Sequence, residues 1–492
     1  MTQSRPSDSV RAIVESAVPS VRVENASIIT TKRLLRTFKV KLTDERTLVL
    51  KLLPPPSRLL RYEKCFVQSE AAVVEWLLQD ARQKQNKGAQ GLSEKSTGKY
   101  PRGESSRRAT DQLASDTSSS VEDHLFRYLP TLIKYSSTST ENGSAFSLFE
   151  PILGDPISSL GTPLTPTERR AINFQKGRLM RRIANVTSPS GKFGQVATVL
   201  EQLQVHEKNQ RAASETKLEF DGADGWRKTF HILLEGVLRD GEDRAVTMSY
   251  ELVRTTFNKF GHLLDAITTP RLVVCDADED DVVLVSRIGK AQEKREEQDP
   301  ETCKSEPKAK IEPDDSFVGS QQHLQEDDAT ALEITGLQDW SNCIFGDPLF
   351  ATVFSHTTPE FDRGFRELRD TGETKKSVES HKIKKEEDHD SSGGDEGEEE
   401  GQHGIDIIED PDNAPTRILL YECYHATVAI VRQFYRPDAD SSEREIAARR
   451  RLVAALAKLE HIDVSESAGK RPRRPSRNDW PVKRPRGDTP VS

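Results

Sequence analysis

The chain has 492 residues, of which only 34% are hydrophobic and 31% are charged. At about 150 residues per domain the length allows three domains, but so polar a chain can bury one good core and part of another. The formal charge of −9 argues against bulk electrostatic binding of nucleic acid. Five cysteines without C-x-x-C spacing argue against a disulfide scaffold or zinc module. Without an apolar leader, or the roughly 18 apolar residues of a membrane span, a soluble intracellular protein is expected, in nucleus or cytoplasm, with no membrane partner.

Residues 36–43 and 47–53 alternate apolar and polar side chains around Asp44-Glu45, which predicts a β-hairpin stopped by Pro54-Pro55-Pro56. Within 69–80, Ala72, Val73, Trp76 and Leu77 recur at helical spacing. The polar tract 82–122 is expected to be disordered, and a strand resumes near 146–153. Thr165-Pro166-Thr167-Glu168 is a capping box that opens a helix to about Val186. Amphipathic patterns follow at 226–238 and 248–266, then two short strands around an acidic turn within 271–285. A strand at 333–340 and helices at about 416–434 and 442–460 complete the pattern, interrupted by polar tracts at 289–330 and 371–413 and followed by a basic tail, 463–492. The expected plan is α+β and two-lobed: a β-rich N-lobe with one helix (1–81 and 123–153) and a larger, mostly helical C-lobe (154–370 and 414–462).

Five residues stand out in order along these elements. Lys51 lies in the second hairpin strand, Glu70 at the start of the next helix, Asp276 and Asp281 in the turn between two strands, and Asp339 at a strand end. Phosphoryl transfer needs this kit: a lysine for nucleotide phosphates, a carboxylate to position it, a base for the acceptor hydroxyl, and oxygen ligands for magnesium. The DADEDD turn also imitates the start of a calcium loop, but Asp281 and Arg287 stand where such a loop needs glycine and glutamate. Neither a G-x-S-x-G elbow nor a G-x-x-x-x-G-K-[ST] loop is present.

The segments Val274-Cys275-Asp276-Ala277-Asp278-Glu279-Asp280-Asp281 and Ile334-Thr335-Gly336-Leu337-Gln338-Asp339-Trp340, the second followed by Gly346-Asp347-Pro348, resemble two motifs of one family. It is the aminoglycoside phosphotransferase (choline kinase-like) branch of the protein-kinase-like fold, particularly its fungal members. The resemblance implies a protein-kinase-like fold that uses ATP and Mg2+, with Lys51 on the nucleotide phosphates, Glu70 as its ion-pair partner, Asp276 as base, and Asp281 and Asp339 as metal ligands. The chain departs from the family pattern at Val274, where a histidine is usual, at Asp281, where asparagine is usual, and in loop 27–35, which holds no glycine. A loop without glycine cannot bring its backbone amides close to phosphate.

The expected function is an ATP- and magnesium-dependent phosphotransferase acting on a hydroxyl of a small molecule. The alternative is a catalytically weak or inactive, pseudokinase-like interaction protein in the nucleus. The tail carries paired basic clusters, 470–477 and 483–486, in the pattern of a bipartite nuclear-import signal, so an import receptor is an expected partner of Lys470 to Arg486. No direct nucleic-acid binding is expected.

Overall fold

Alternation in the first block builds the expected hairpin at the centre of a larger sheet. The structure, a computed structural model, describes residues 6–29, 33–94, 125–137, 144–200, 222–288, 331–367 and 407–469. Strands β1 (Val23–Ile29), β2 (Arg36–Leu42), β3 (Thr47–Leu52), β4 (Thr131–Ser136) and β5 (Phe146–Glu150) form a five-stranded sheet in the order β1-β2-β3-β5-β4, with every pair antiparallel. Because strand side chains alternate between faces, Phe38, Val40, Leu42, Leu48, Leu50, Phe146 and Leu148 share one buried face. Lys51, Ser147 and Phe149 belong to the opposite face.

Helix α1 (Pro6–Ala17) covers the apolar face with Val10, Ile13 and Val14. The N-lobe therefore has two helices where the sequence reading expected one. The signal was present, since positions 10, 13, 14 and 17 are apolar at helical spacing.

Helix α2 (Phe66–Glu94) follows β3 and packs on the other side. Its Val73, Val74 and Leu77 belong to the large C-lobe core, which also takes in Tyr128, Leu129 and Phe149. The apolar side chains thus form two large cores, one between the sheet and α1 and one in the C-lobe with α2, and a small third cluster joins Val67 of α2 with Leu35 and Ala145 beside the sheet. The helix also continues to Glu94, into the tract expected to be disordered from 82. Ala, Arg, Gln and Lys are good helix formers, and their propensity favours helix where apolar burial is lacking.

The C-lobe contains α3 (Pro166–Ala184), α4 (Trp226–Asp243), α5 (Tyr250–Phe260), α6 (Pro359–Arg366), α7 (Ala414–Tyr435) and α8 (Ser441–Gly469). Thr165 and Glu168 cap α3 reciprocally, as its sequence predicts. Two three-stranded sheets accompany these helices. One, in the order β10-β9-β6, uses β6 (Asp155–Pro156), β9 (Val283–Ile288) and β10 (Ala331–Leu337); the other, β7-β11-β8, uses β7 (Gly194–Gln195), β8 (Arg271–Val274) and β11 (Cys343–Gly346).

Helices α3 and α6 cross on two glycines. A Cβ on Gly177 would lie 2.2 Å from the Phe361 carbonyl oxygen, and one on Gly364 would lie 2.1 Å from that of Phe174.

Two further boundaries differ from expectation. Helix α8 runs to Gly469, past its expected end at about 460 and past the expected C-lobe boundary at 462. Residues 407–413 are built into the fold rather than disordered: Ile407 is 1% exposed, and the Glu409 carboxylate accepts hydrogen bonds from the amides and hydroxyls of Thr268 and Thr269 at 2.7–3.2 Å. Tract 289–330, residues 371–406 and the basic segment 470–492 lie outside the described residues. Among the described residues no helix is long and apolar enough to cross a membrane. The architecture is the two-lobed α+β plan expected from the sequence, a β-rich N-lobe followed by a larger, mostly helical C-lobe.

Candidate active site

Strand β3 ends at a proline turn, and its last inward-facing side chain is Lys51. The Lys51 ammonium, 4% exposed, donates to the Glu70 carboxylate and to the Gln338 carbonyl at 2.6 Å, and lies 4.0 Å from Asp339 Oδ1. Glu70 is fully buried and also accepts from the Ser147 hydroxyl at 3.3 Å and the Trp340 amide at 3.2 Å. Three residues distant in sequence therefore meet where β3, α2 and the end of β10 converge. Burial pushes the Glu70 carboxyl pKa up, Lys51 opposes this, and Asp339 adds to it.

Glu70 is set in place by the connection ahead of it. In the 3-10 turn Arg61–Cys65, Arg61 donates its amide (2.9 Å) and its guanidinium to Asp240 of α4, and reaches Asp243 at 2.8 Å. Glu63, 0% exposed, receives both Arg436 Nη groups at 2.6 and 2.8 Å, and Gln195 donates to the Tyr62 carbonyl at 2.7 Å. The start of α2 is thereby tied to the C-lobe.

The acidic turn between β8 and β9 sorts its residues by role. Asp278 and Asp280 face structural partners. The Asp278 carboxylate lies 2.8 Å from the Thr352 hydroxyl and its carbonyl accepts from Lys176 at 2.6 Å; Asp280 accepts from Arg169 at 2.8 and 2.9 Å and from Lys176 at 3.2 Å. Asp276, Glu279 and Asp281 face one guanidinium instead. Arg33 donates to Asp276 through Nη1 and to Asp281 through Nη2 at 3.0 Å, and its Nη2 lies 3.4 Å from Glu279. Arg33 precedes β2 in the glycine-free loop, and its side chain is 11% exposed.

Charge is unevenly distributed among these groups. Burial raises the Asp276 pKa, against the pull of Arg33, and Asp339 raises it further. Burial also acts to raise Asp339, but Lys51, Arg33 and the Ser341 amide outweigh it and hold Asp339 below the usual carboxylate range. Glu279 is pushed up to about 7, chiefly by burial, with Arg33 opposing and Asp276 and Asp281 reinforcing. Burial would weaken the charge on Arg33, but Asp276, Asp339, Glu279 and Asp281 together hold its pKa above the ordinary arginine value.

The sequence-predicted residues thus form two linked groups: Lys51 with Glu70 and Asp339, and Asp276 with Asp281 through Arg33. Sequence reasoning missed Arg33, Glu279 and Arg432. Arg432, on α7, lies 3.4 Å from the Tyr62 hydroxyl and 3.9 Å from Glu63, and its charge also acts on Asp276. Nothing in the sequence picks Arg33 out among 71 lysines and arginines, and it lies in a loop read only for its lack of glycine. Val274, the departure noted in the sequence two residues before Asp276, is wholly buried, and the Thr352 amide donates to the Cys275 carbonyl of the turn at 2.8 Å.

Asp347, in the Gly346-Asp347-Pro348 segment, is structural in its contacts. It is fully buried, accepts from the Tyr421 hydroxyl at 2.7 Å, and lies 3.4 Å from Arg417 Nε. Residues Leu148 to Glu150 close β5. Leu148 is fully buried, while Glu150 and Pro151 line a cavity of about 380 Å3 with Leu153, Glu333 and Thr335.

Among the described residues no group of three or more His, Cys, Asp or Glu side chains closes around a metal position. Magnesium needs no such cage, because it is commonly held by one or two carboxylates together with substrate phosphates. Asp281 and Asp339 each supply carboxylate oxygens of the kind it takes.

No protein-family model matches this chain, and no curated protein sequence does. Among solved structures it is similar to an inferred aminoglycoside phosphotransferase from Ralstonia eutropha JMP134, at 10% identity over 92% of this chain and 98% of that one, with a TM-score of 0.40. An inferred fructosamine-3-kinase from Thermobifida fusca YX-ER1 matches at 12% identity over 91% and 99%, with a TM-score of 0.39. A mutant aminoglycoside 2'-phosphotransferase IIIa in complex with GDP matches at 10% identity over 93% and 97%, with a TM-score of 0.38.

Proposed function

We propose that this chain is an ATP- and magnesium-dependent phosphotransferase acting on a hydroxyl of a small molecule, of the aminoglycoside phosphotransferase (choline kinase-like) kind. The observation that carries the reading is the meeting of Lys51, Glu70 and Asp339, residues from a strand, a helix and a strand end, around one buried ammonium. A buried lysine with a carboxylate partner on one side and an acidic strand end on the other suits a nucleotide phosphate site. In this reading Lys51, oriented by Glu70, binds phosphate oxygens. Asp276 accepts the acceptor hydroxyl proton as the hydroxyl oxygen bonds to the γ-phosphorus. The bond from that phosphorus to the β,γ-bridging oxygen breaks, and ADP leaves with the electron pair. Asp281 and Asp339 would hold magnesium, which supplies neutralisation of phosphate charge.

Thermal unfolding with ATP, with and without magnesium, tests the nucleotide site. At a hundred times its dissociation constant a ligand stabilises the fold by about 2.7 kcal/mol. The expected result is a magnesium-dependent rise in melting temperature that Asp339→Ala abolishes. Asp276→Asn should keep that rise and lose phosphoryl transfer; full turnover by Asp276→Asn would remove Asp276 as base.

The second reading is a catalytically inactive, kinase-like interaction protein in the nucleus, with residues 470–486 as the ligand of an import receptor. It is favoured by the ion pair between Arg33 and Asp276, which engages the proposed base. An absence of any nucleotide response in the wild-type chain would select it.

A further inference from the structure

The most acidic part of the cleft is answered by one cation from the opposite lobe. Arg33 stands on the N-lobe loop between β1 and β2, and its guanidinium spans the carboxylates of Asp276, Glu279 and Asp281 from the C-lobe. With Asp339 acting on it as well, four acidic groups converge where the proposed reaction would bring the terminal phosphate of ATP. A triphosphate cannot approach such a cluster without cationic charge held between it and the carboxylates. Beside magnesium, Lys51 supplies this charge on the side of Glu70 and the Gln338 carbonyl, whereas Arg33 lies among the carboxylates of the acidic turn itself. The loop that carries Arg33 holds no glycine, so it does not read as a glycine-rich phosphate loop.

We propose that Arg33 is a phosphoryl-binding residue of this site, donating from its guanidinium to the non-bridging oxygens of the transferred group. This rests on the phosphotransferase reading and deepens it. One Nη bonds the proposed base and the other bonds a proposed metal ligand, so the planar fork spans the interval in which a phosphoryl group passing from nucleotide to acceptor would lie. A guanidinium presents donors in a fixed plane that matches phosphate oxygens in pairs. Arg33 makes and breaks no covalent bond in this scheme; it contacts the oxygens of the group being transferred and offsets its charge. One side chain then does what backbone amides do in glycine-rich loops.

The test compares the binding of magnesium-ATP with that of magnesium-ADP, by calorimetry, in the wild-type chain, Arg33→Gln and Arg33→Ala. Only the triphosphate reaches Arg33, so the ratio of the two affinities cancels effects that the bared carboxylates exert on metal and diphosphate alike. The wild type should bind ATP about tenfold or more tightly than ADP. Both variants should keep ADP binding, which also reports correct folding, and lose that preference. Arg33→Gln preserves side-chain length and serves if Arg33→Ala does not fold. Unchanged ATP-over-ADP preference in a variant that binds ADP overturns the inference and leaves the phosphotransferase reading intact. Tighter ATP binding by the variants also overturns it, because Arg33 would then be a counter-ion that nucleotide displaces. A wild-type chain that binds neither nucleotide overturns both readings.

Discussion

At the scale of single residues, environment separates groups that look alike in sequence. Asp276 and Asp339 have the same side chain, yet burial raises one while Lys51 and Arg33 hold the other low against burial. Such divergence is how a site can hold one carboxylate as a charged ligand and another nearer to protonation. His425 shows the same logic away from the cleft. Burial, aided by Arg451 and Arg432 and opposed by a hydrogen bond with the Phe350 carbonyl, lowers its pKa to about 4. The folded chain therefore keeps His425 neutral where the unfolded chain would protonate it, so its contribution is intact above pH 6.5 and is lost as pH falls toward 4. Between pH 7 and pH 5 the loss should be about 2 kcal/mol. Denaturant titrations at the two pH values should show the wild type losing that much more than His425→Gln; equal losses would place the acid sensitivity elsewhere.

Elements were more legible than contacts between them. The hairpin, the capped helix at Thr165 and the acidic turn could be read because local chemistry, alternation, capping and turn residues, decides them. Lys51, Glu70, Asp276, Asp281 and Asp339 could be singled out by residue type and order, but a single sequence does not give the distances among them. Arg33 was hidden because its partners lie in the C-lobe acidic turn, and helix α1 because its apolar positions make sense only against a sheet face. The crossing of α3 and α6 is another long-range feature. Gly177 and Gly364 look like weak points in helices, where glycine costs about 1 kcal/mol relative to alanine. Here the backbones leave no room for a methyl group. Gly177→Ala should therefore destabilise by about 1–3 kcal/mol despite its better helix propensity. A gain in stability on denaturation would mean that the crossing can open without penalty.

For the whole molecule, the division into two apolar cores matters more than the division into two lobes. One core lies between α1 and the sheet, and the other takes in α2 with the C-lobe. The 3-10 turn Arg61–Cys65 binds α2 to the second core through Arg61 with Asp240 and Glu63 with Arg436. Losing one partner of a buried ion pair costs about 3–5 kcal/mol, because the other charge is left without compensation. Glu63→Ala should lower stability by that amount. Combined with Arg61→Ala, it should split the calorimetric transition of the wild type into two; a single transition in the double variant would mean that the cores are coupled by other contacts. The partition also gives the Lys51–Glu70 pair a mechanical meaning. Lys51 lies on the sheet and Glu70 on a helix tied to the C-lobe through Trp340 and the clamped turn, while the Ser147 hydroxyl also binds Glu70 to the sheet. One buried carboxylate is thus a junction shared by a strand, a helix and a C-lobe loop, so a change there is felt on both sides of the cleft at once.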